Sequence, residues 1–211
     1  MTAPLLIDPA ELDAVADALH DGRVIGLPTD TVYGLGVALD EHATQRLFDV
    51  KGRPPGFALP VLVGERGQVN RVASSFPPAA VTLAAAFWPG PLTLVVPAKR
   101  SIGRLVGGDG RTVGMRWPAS PFVEELCLRV GPLAVTSANR HGERPAIRSE
   151  EVVGGFDRSE VAIVVAGIAA GGTPSSVVDC ASRTPTCLRE GALSWPELEA
   201  ALRAGGPVQR G

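Results

Sequence analysis

Apolar and polar positions alternate along this chain in two periods, and the period switches repeatedly. In "IDPAELDAVADALHDG" the apolar residues Leu12, Val15, Ala16 and Leu19 recur at helical spacing. Asp8 precedes Pro9 as an N-cap, Glu11 stands where a capping-box partner belongs, and Gly22 is a stop signal. "EHATQRLFDVKG", "PPAAVTLAAAFW", "SPFVEELCLRVG" (Ser120 as N-cap, then Pro121) and "SWPELEAALRAG" predict four more helices. Short runs bounded by Gly, Pro and Asn predict strands: "RVIGLP", "LPVLV", "PLTLVVP", "RTVGMRWP", "PLAVTSAN", "VAIVVAG", "SVVDC" and "TCLRE". Strands that alternate with helices imply an α/β or α+β fold with a helix-covered sheet. No repeat or linker breaks the pattern, so a single domain is expected over 1–205, with 206–211 as a flexible tail.

Two uncharged runs, Val72 to Ala98 and Val161 to Val178, are long enough to raise the question of a membrane span. Prolines 77, 78, 89, 91 and 97 interrupt the first, and Gly167, Gly171, Gly172 and Pro174 the second. They are expected to be a buried helix followed by a strand, and a strand followed by a loop. The N-terminus has no basic segment leading into an apolar one, so no signal peptide is expected.

Composition narrows the function. With 211 residues, 45% apolar and 20% charged, the chain resembles an ordinary globular domain, and with only 5% aromatics its core must be built from Ala, Val and Leu. A net charge of −2 argues against a general nucleic-acid coat but allows a local anion pocket. Cys127, Cys180 and Cys187 form no CxxC pair and His20, His42 and His141 are scattered, so free thiols in a reducing cytoplasm are expected and no metal-ligand spacing is visible. Of twenty basic residues only Lys51 and Lys99 are lysines.

Polar residues gather at strand-to-loop junctions, where scaffolds place sites. "PTDTVYGLG" carries Thr29, Asp30, Thr31 and Tyr33, more hydroxyls than a turn needs. "KGRPP" carries Lys51 and Arg53, "TSANRHG" carries Ser137 and Asn139, and "GTPSSVVD" with "LREG" brings Ser175, Ser176 and Arg189. Each has a plain alternative. Lys51 and Arg53 can serve helix C-terminal carbonyls, and Ser137 and Asn139 can be turn residues. Arg116 on "TVGMRWP" either faces solvent or faces inward, where it needs an anionic partner. There is no GxxxxGK[ST] loop, no GxGxxG and no GxSxG elbow.

The segments "GLPTDTVYGLG", "KGRP", "FWPGPLTLVV", "TVGMRWP", "PLAVTSAN", "SSVVD" and "LREGAL" occur in the order seen in the YrdC-like family of threonylcarbamoyl-AMP synthases, and the resemblance runs from Arg23 to Leu193. It implies a twisted mixed sheet with flanking helices around a positively charged cavity. The implied activity is that of a nucleotidyltransferase. It joins L-threonine, bicarbonate or CO2, and ATP into threonylcarbamoyl-adenylate with release of pyrophosphate. A tRNA threonylcarbamoyl-transfer complex is the implied recipient, with weak tRNA binding and Mg2+ accompanying ATP. By the same resemblance Lys51, Arg53, Ser137 and Asn139 surround the phosphates and reaction centre. Thr31, Arg116 and Ser175 contact threonine, with Arg116 on its carboxylate. Arg53, Thr112, Asn139 and Arg189 contact ATP. The chain departs from the family pattern at Ala58-Leu59, Leu62, His141 and Ser176, and "AGIAAGG" lacks the family's aspartate. The alternatives are a non-catalytic RNA- or nucleotide-binding paralogue, and a carbamoyl transferase or hydrolase using Ser137 and His141, which lacks a visible orienting acid.

Overall fold

The structure is a computed structural model that describes residues 2–52, 56–140 and 142–205. Arg53, His141 and the tail expected at 206–211 lie outside the described residues. In chain order the elements are β1 (Leu5–Ile7), α1 (Leu12–His20), β2 (Ile25–Leu27), β3 (Gly34–Ala38), α2 (Glu41–Lys51), β4 (Val61–Leu62), α3 (Arg66–Val72), α4 (Pro78–Phe87) and β5 (Leu92–Pro97). They continue with α5 (Arg100–Val106), β6 (Thr112–Arg116), α6 (Pro121–Val130), β7 (Leu133–Ser137), α7 (Ser149–Gly155), β8 (Ile163–Val165), β9 (Ser176–Asp179), β10 (Thr186–Arg189) and α8 (Trp195–Ala204).

One mixed sheet runs β1-β8-β2-β3-β7-β4-β6-β5-β9-β10. Its two faces are covered unequally. One carries the larger core, where Leu35, Val61, Leu94, Met115, Ala134 and Val178 meet α2, α4, α7 and α8. The other is covered at one end only, where Ile25, Leu27, Leu133 and Ile163 pack against α1 and α6. Beyond those two helices no helix among the described residues covers this second face, and it forms the floor of a cavity.

The two uncharged runs give the expected order of elements, α4 followed by β5 and β8 followed by a loop into β9. However, α4 is not the buried helix expected: only Ala80 and Leu83 are buried, and Val81 faces outward because the helix lays one narrow stripe on the sheet. Among the described residues no helix is long and apolar enough to cross a membrane. Several elements have little signal in the sequence. β1 has three residues at the sheet edge. α3, α5 and α7 have seven each. β3 contains two glycines, which disfavour strands, and it is held extended by ladders on both sides, to β2 and β7. At α1 the expected capping pair forms one turn early: Ala10 N donates to Asp8 Oδ1 and Asp8 N to Glu11 Oε1, and the helix begins at Leu12.

Candidate active site

Strand periodicity builds the cavity. Side chains alternate across a strand, so Thr93 and Val95 of β5, Gly114 and Arg116 of β6, and Val135 and Ser137 of β7 face it, while Leu94, Val96, Val113, Met115 and Ala134 enter the larger core. The "PTDTVYG" loop between β2 and β3 closes one wall, and Pro174, Ser175 and Arg189 close another. The cavity is open on one side and its volume is about 410 Å3, within the range of ~300–1,000 Å3 usual for small-ligand sites. The two walls lie backbone against backbone. Gly172 N donates to Thr31 O at 2.7 Å, and a Cβ on Gly171 would stand 2.6 Å from Asp30 O.

Arg116 is the centre of this arrangement. It is buried, with 6% of its surface exposed. Its Nε donates to Gly90 O at 3.0 Å, Nη1 to Thr31 Oγ1 at 2.7 Å and Nη2 to Asp30 Oδ1 at 2.5 Å. Burial pushes its pKa below the ordinary arginine value, Asp30 pulls it back, and the nearby Arg189 charge adds to the downward push. An inward arginine needs an anion, and Asp30 supplies one. Two arginines and no carboxylate line the cavity among the described residues, so its potential is positive once Asp30 has offset one charge. Of five guanidinium N–H groups, three are engaged, which leaves two for a ligand.

Thr31 is 1% exposed and its hydroxyl roles can be worked out. Thr29 Oγ1 gives its only proton to Val32 O at 2.7 Å. In the 3.0 Å contact between the two threonine hydroxyls Thr31 is therefore the donor. It accepts from Arg116, and its remaining lone pair suits a ligand donor such as an ammonium. On the facing wall Arg189 donates through Nη2 to Ser175 O at 2.8 Å and through Nε at 3.2 Å. Ser175 Oγ lies 2.9 Å from Thr93 Oγ1.

Lys51 lies behind Ser137, and only 8% of it is exposed. It closes α2 beside Gly52, yet its Nζ crosses to the end of β7. It donates to Ser137 O (2.8 Å), Asn139 O (2.5 Å) and Asn139 Oδ1 (3.0 Å). Ser137 Oγ donates to the same Oδ1 at 2.6 Å. The carbonyls served belong to the facing strand and loop, not to the helix that carries the lysine.

Of the residues singled out by sequence, Thr31, Arg116, Ser137, Ser175 and Arg189 meet at the cavity, and Lys51 and Asn139 stand behind its Ser137 wall. Thr112 bonds Asp109 through both its N–H and its hydroxyl and is not among the lining residues. Ser176 is buried, accepts from Gly191 N and Leu193 N, and donates to Leu193 O, so it braces the turn below Arg189. Ala58 and Leu62 make part of the lining apolar. Asp30 as the partner of Arg116 and Thr93 as the partner of Ser175 were not anticipated. The only cue to Thr93 was a lone hydroxyl in an apolar strand, two positions from Val95.

A threonylcarbamoyl-AMP synthase from Pyrococcus abyssi (strain GE5 / Orsay) is 35% identical over 195 residues, covering 92% of this chain and 57% of that protein. This chain thus spans less than two thirds of that relative's length. A threonylcarbamoyl-AMP synthase from Pseudomonas savastanoi pv. phaseolicola is 34% identical over 174 residues, covering 82% of this chain and 94% of that one. The crystal structure of P. abyssi Sua5 complexed with L-threonine superimposes with a TM-score of 0.87 at 32% identity, covering 96% of this chain and 61% of that one. The Sua5/YciO/YrdC family model, described as telomere recombination, matches residues 17–191, most of the chain, and the chain belongs to this family.

Proposed function

We propose that this chain is a nucleotidyltransferase that makes L-threonylcarbamoyl-adenylate from L-threonine, bicarbonate or CO2, and ATP. The observation that carries the reading is the buried Arg116–Thr31 pair facing Ser175 and Arg189 across a positive cavity. It stands in a family whose named relatives include threonylcarbamoyl-AMP synthases and a Sua5 structure complexed with L-threonine.

The two remaining N–H groups of Arg116 bind the substrate carboxylate, and the lone pair of Thr31 receives its ammonium or hydroxyl. The threonine ammonium first loses a proton to solvent. The free amine then adds to the one-carbon unit, giving a carbamate, with water leaving from bicarbonate or a second proton leaving when CO2 is used. A carbamate oxygen then attacks the α-phosphorus of ATP, that P–O bond forms, the bond to the β-phosphate oxygen breaks, and pyrophosphate leaves. No protein nucleophile is needed. The chain contributes orientation and positive charge. Arg189 at the mouth meets the phosphates, with Arg53 and Asn139 as further nucleotide contacts and Lys51 setting the Ser137 wall. Thr112, tied to Asp109 outside the lining, has no role in this reading. Among the described residues no three acids, histidines or cysteines converge on a metal position. Magnesium enters this reading with the ATP phosphates, as part of the nucleotide substrate. The cytoplasm is the compartment where ATP, tRNA and a threonylcarbamoyl-transfer complex would be met.

Pyrophosphate release from ATP and bicarbonate is the test. Release that requires threonine supports the reading, and equal release with and without threonine overturns it. Tight, salt-sensitive binding of structured RNA without any pyrophosphate release would favour the non-catalytic alternative.

A further inference from the structure

A second cavity of about 420 Å3, as large as the first, lies on the opposite face of the sheet. Two helix faces form its sides: Arg66, Val69 and Asn70 of α3, and Val81, Ala84 and Ala85 of α4. Phe76, Trp88 and Trp117 complete it, with the Phe76 and Trp88 ring centroids 5.9 Å apart at 44°. The small Ala84 and Ala85 leave open a space that larger residues would fill in an ordinary helix–helix contact. Arg66 is exposed, no carboxylate lines the cavity among the described residues, and Asn70 adds an amide one helical turn away. The Trp117 indole N–H is covered and has no acceptor among the described residues, a state that native structures rarely tolerate.

We propose that this cavity is a binding site for a small aromatic anion, its ring between Trp88, Trp117 and Phe76 and its charge on Arg66. A ring fits walls that offer π faces, and the lone cation with an amide beside it selects a carboxylate or similar anion. The site is wired to the first cavity. Trp117 is the residue directly after Arg116, the last residue of β6, and the two side chains line different cavities, Arg116 the first and Trp117 the second. Gly90 N donates to Trp117 O at 2.8 Å, and Gly90 O accepts from Arg116 Nε at 3.0 Å. A Cβ on Gly90 would stand 2.4 Å from Phe87 O, so this turn has no slack. A ligand that moves Trp88 or Trp117 moves the oxygen that holds Arg116.

Binding is read without ATP or threonine, which keeps it independent of the reaction proposed above. The chain has three tryptophans, Trp88, Trp117 and Trp195, giving three indole N–H cross-peaks in a 1H–15N correlation spectrum. Phenylacetate is expected to shift the Trp88 and Trp117 peaks saturably, to leave Trp195 in place, and to shift the Arg116 Nε–H peak. Acetate and benzyl alcohol, lacking ring or charge, should each bind at least ~10-fold more weakly. Ala84→Leu should remove binding, and the surface change Arg66→Glu should reverse the preference from phenylacetate to benzylamine. Shifts that do not saturate, or that reach Trp195 equally, overturn the site. An unchanged preference in Arg66→Glu overturns the anion assignment, and a silent Arg116 peak overturns the coupling.

Discussion

Two buried cations flank the first cavity, and the fold holds them in different ways. Arg116 is held mainly by side chains, the Asp30 carboxylate and the Thr31 hydroxyl, with one backbone oxygen at Gly90. Lys51 has three hydrogen bonds to neutral oxygens at the end of β7. The difference follows from shape. A guanidinium has five donors in a planar fork, so three can be tied down while two still face a ligand; an ammonium has three donors and here uses all of them. Arg116 can therefore recognise a ligand while anchored, whereas Lys51 sets the position of Ser137 and Asn139.

Removing Arg116 should give the largest effect. Arg116→Ala leaves Asp30 without its cation in a part-buried site, and loss of one partner of a buried pair costs about 3–5 kcal/mol. Urea denaturation should show that loss. Arg116→Lys keeps a charge without the fork. It should fold and lose about 100-fold or more in threonine-dependent pyrophosphate release, chiefly through the KM for threonine. Near-wild-type KM in a folded Arg116→Lys protein would erase the distinction between the two cations.

Lys51→Met should come next. It retains the aliphatic stem but takes away the Lys51 donor from Asn139 O, while Ser137 O keeps Asn139 N and Asn139 Oδ1 keeps Ser137 Oγ, at about 1–3 kcal/mol. Activity should fall through kcat, with the KM for threonine little changed. A selective rise in that KM would move Lys51 into the threonine contact set.

Asp30→Asn keeps an acceptor beside Arg116 and removes the offsetting charge. Inhibition by added pyrophosphate should tighten by about threefold or more at low ionic strength and relax as salt is raised. Unchanged inhibition would mean that Asp30 only orients the guanidinium.

The smallest effect is expected at Tyr33, which resembles Lys51 in anchoring to backbone: its hydroxyl donates to Val165 O at 2.9 Å. Burial pushes its pKa from 10.0 up to about 12. The folded state thus favours the neutral phenol. That contribution is whole below pH 10 and is lost as pH rises toward about 12. Tyr33→Phe should cost about 1 kcal/mol at neutral pH. It should also flatten the alkaline decline of stability, measured by chemical denaturation across that window.

Much of this was legible in the linear chain. Leu12, Val15, Ala16 and Leu19 announce α1 because a 3.6-residue repeat of apolar side chains has few other uses. The mixed α/β class and the polar junctions could be read from local pattern, and the ordered motifs pointed to the family. Lys51, Ser137 and Asn139 could be named as residues that matter. Their bonding could not be read, because the partners lie 86 and 88 residues apart in sequence and meet only when β7 pairs with β3.

β3 is the instructive miss. "GLGVA" has poor strand propensity, yet it is a central strand because neighbours on both sides satisfy its backbone. Gly34 then leaves the cavity room that a side chain would fill.

Residue types, element periods and the inventory of hydroxyls and cations were determined by the sequence alone, since each rests on local spacing and chemistry. Only the tertiary structure decided that Arg116 faces inward onto Asp30, that Lys51 serves the backbone of another strand, and that a second aromatic cavity lies directly behind Arg116. These outcomes depend on which face of a ten-stranded sheet is left uncovered by helices, and that is settled by long-range strand order and packing.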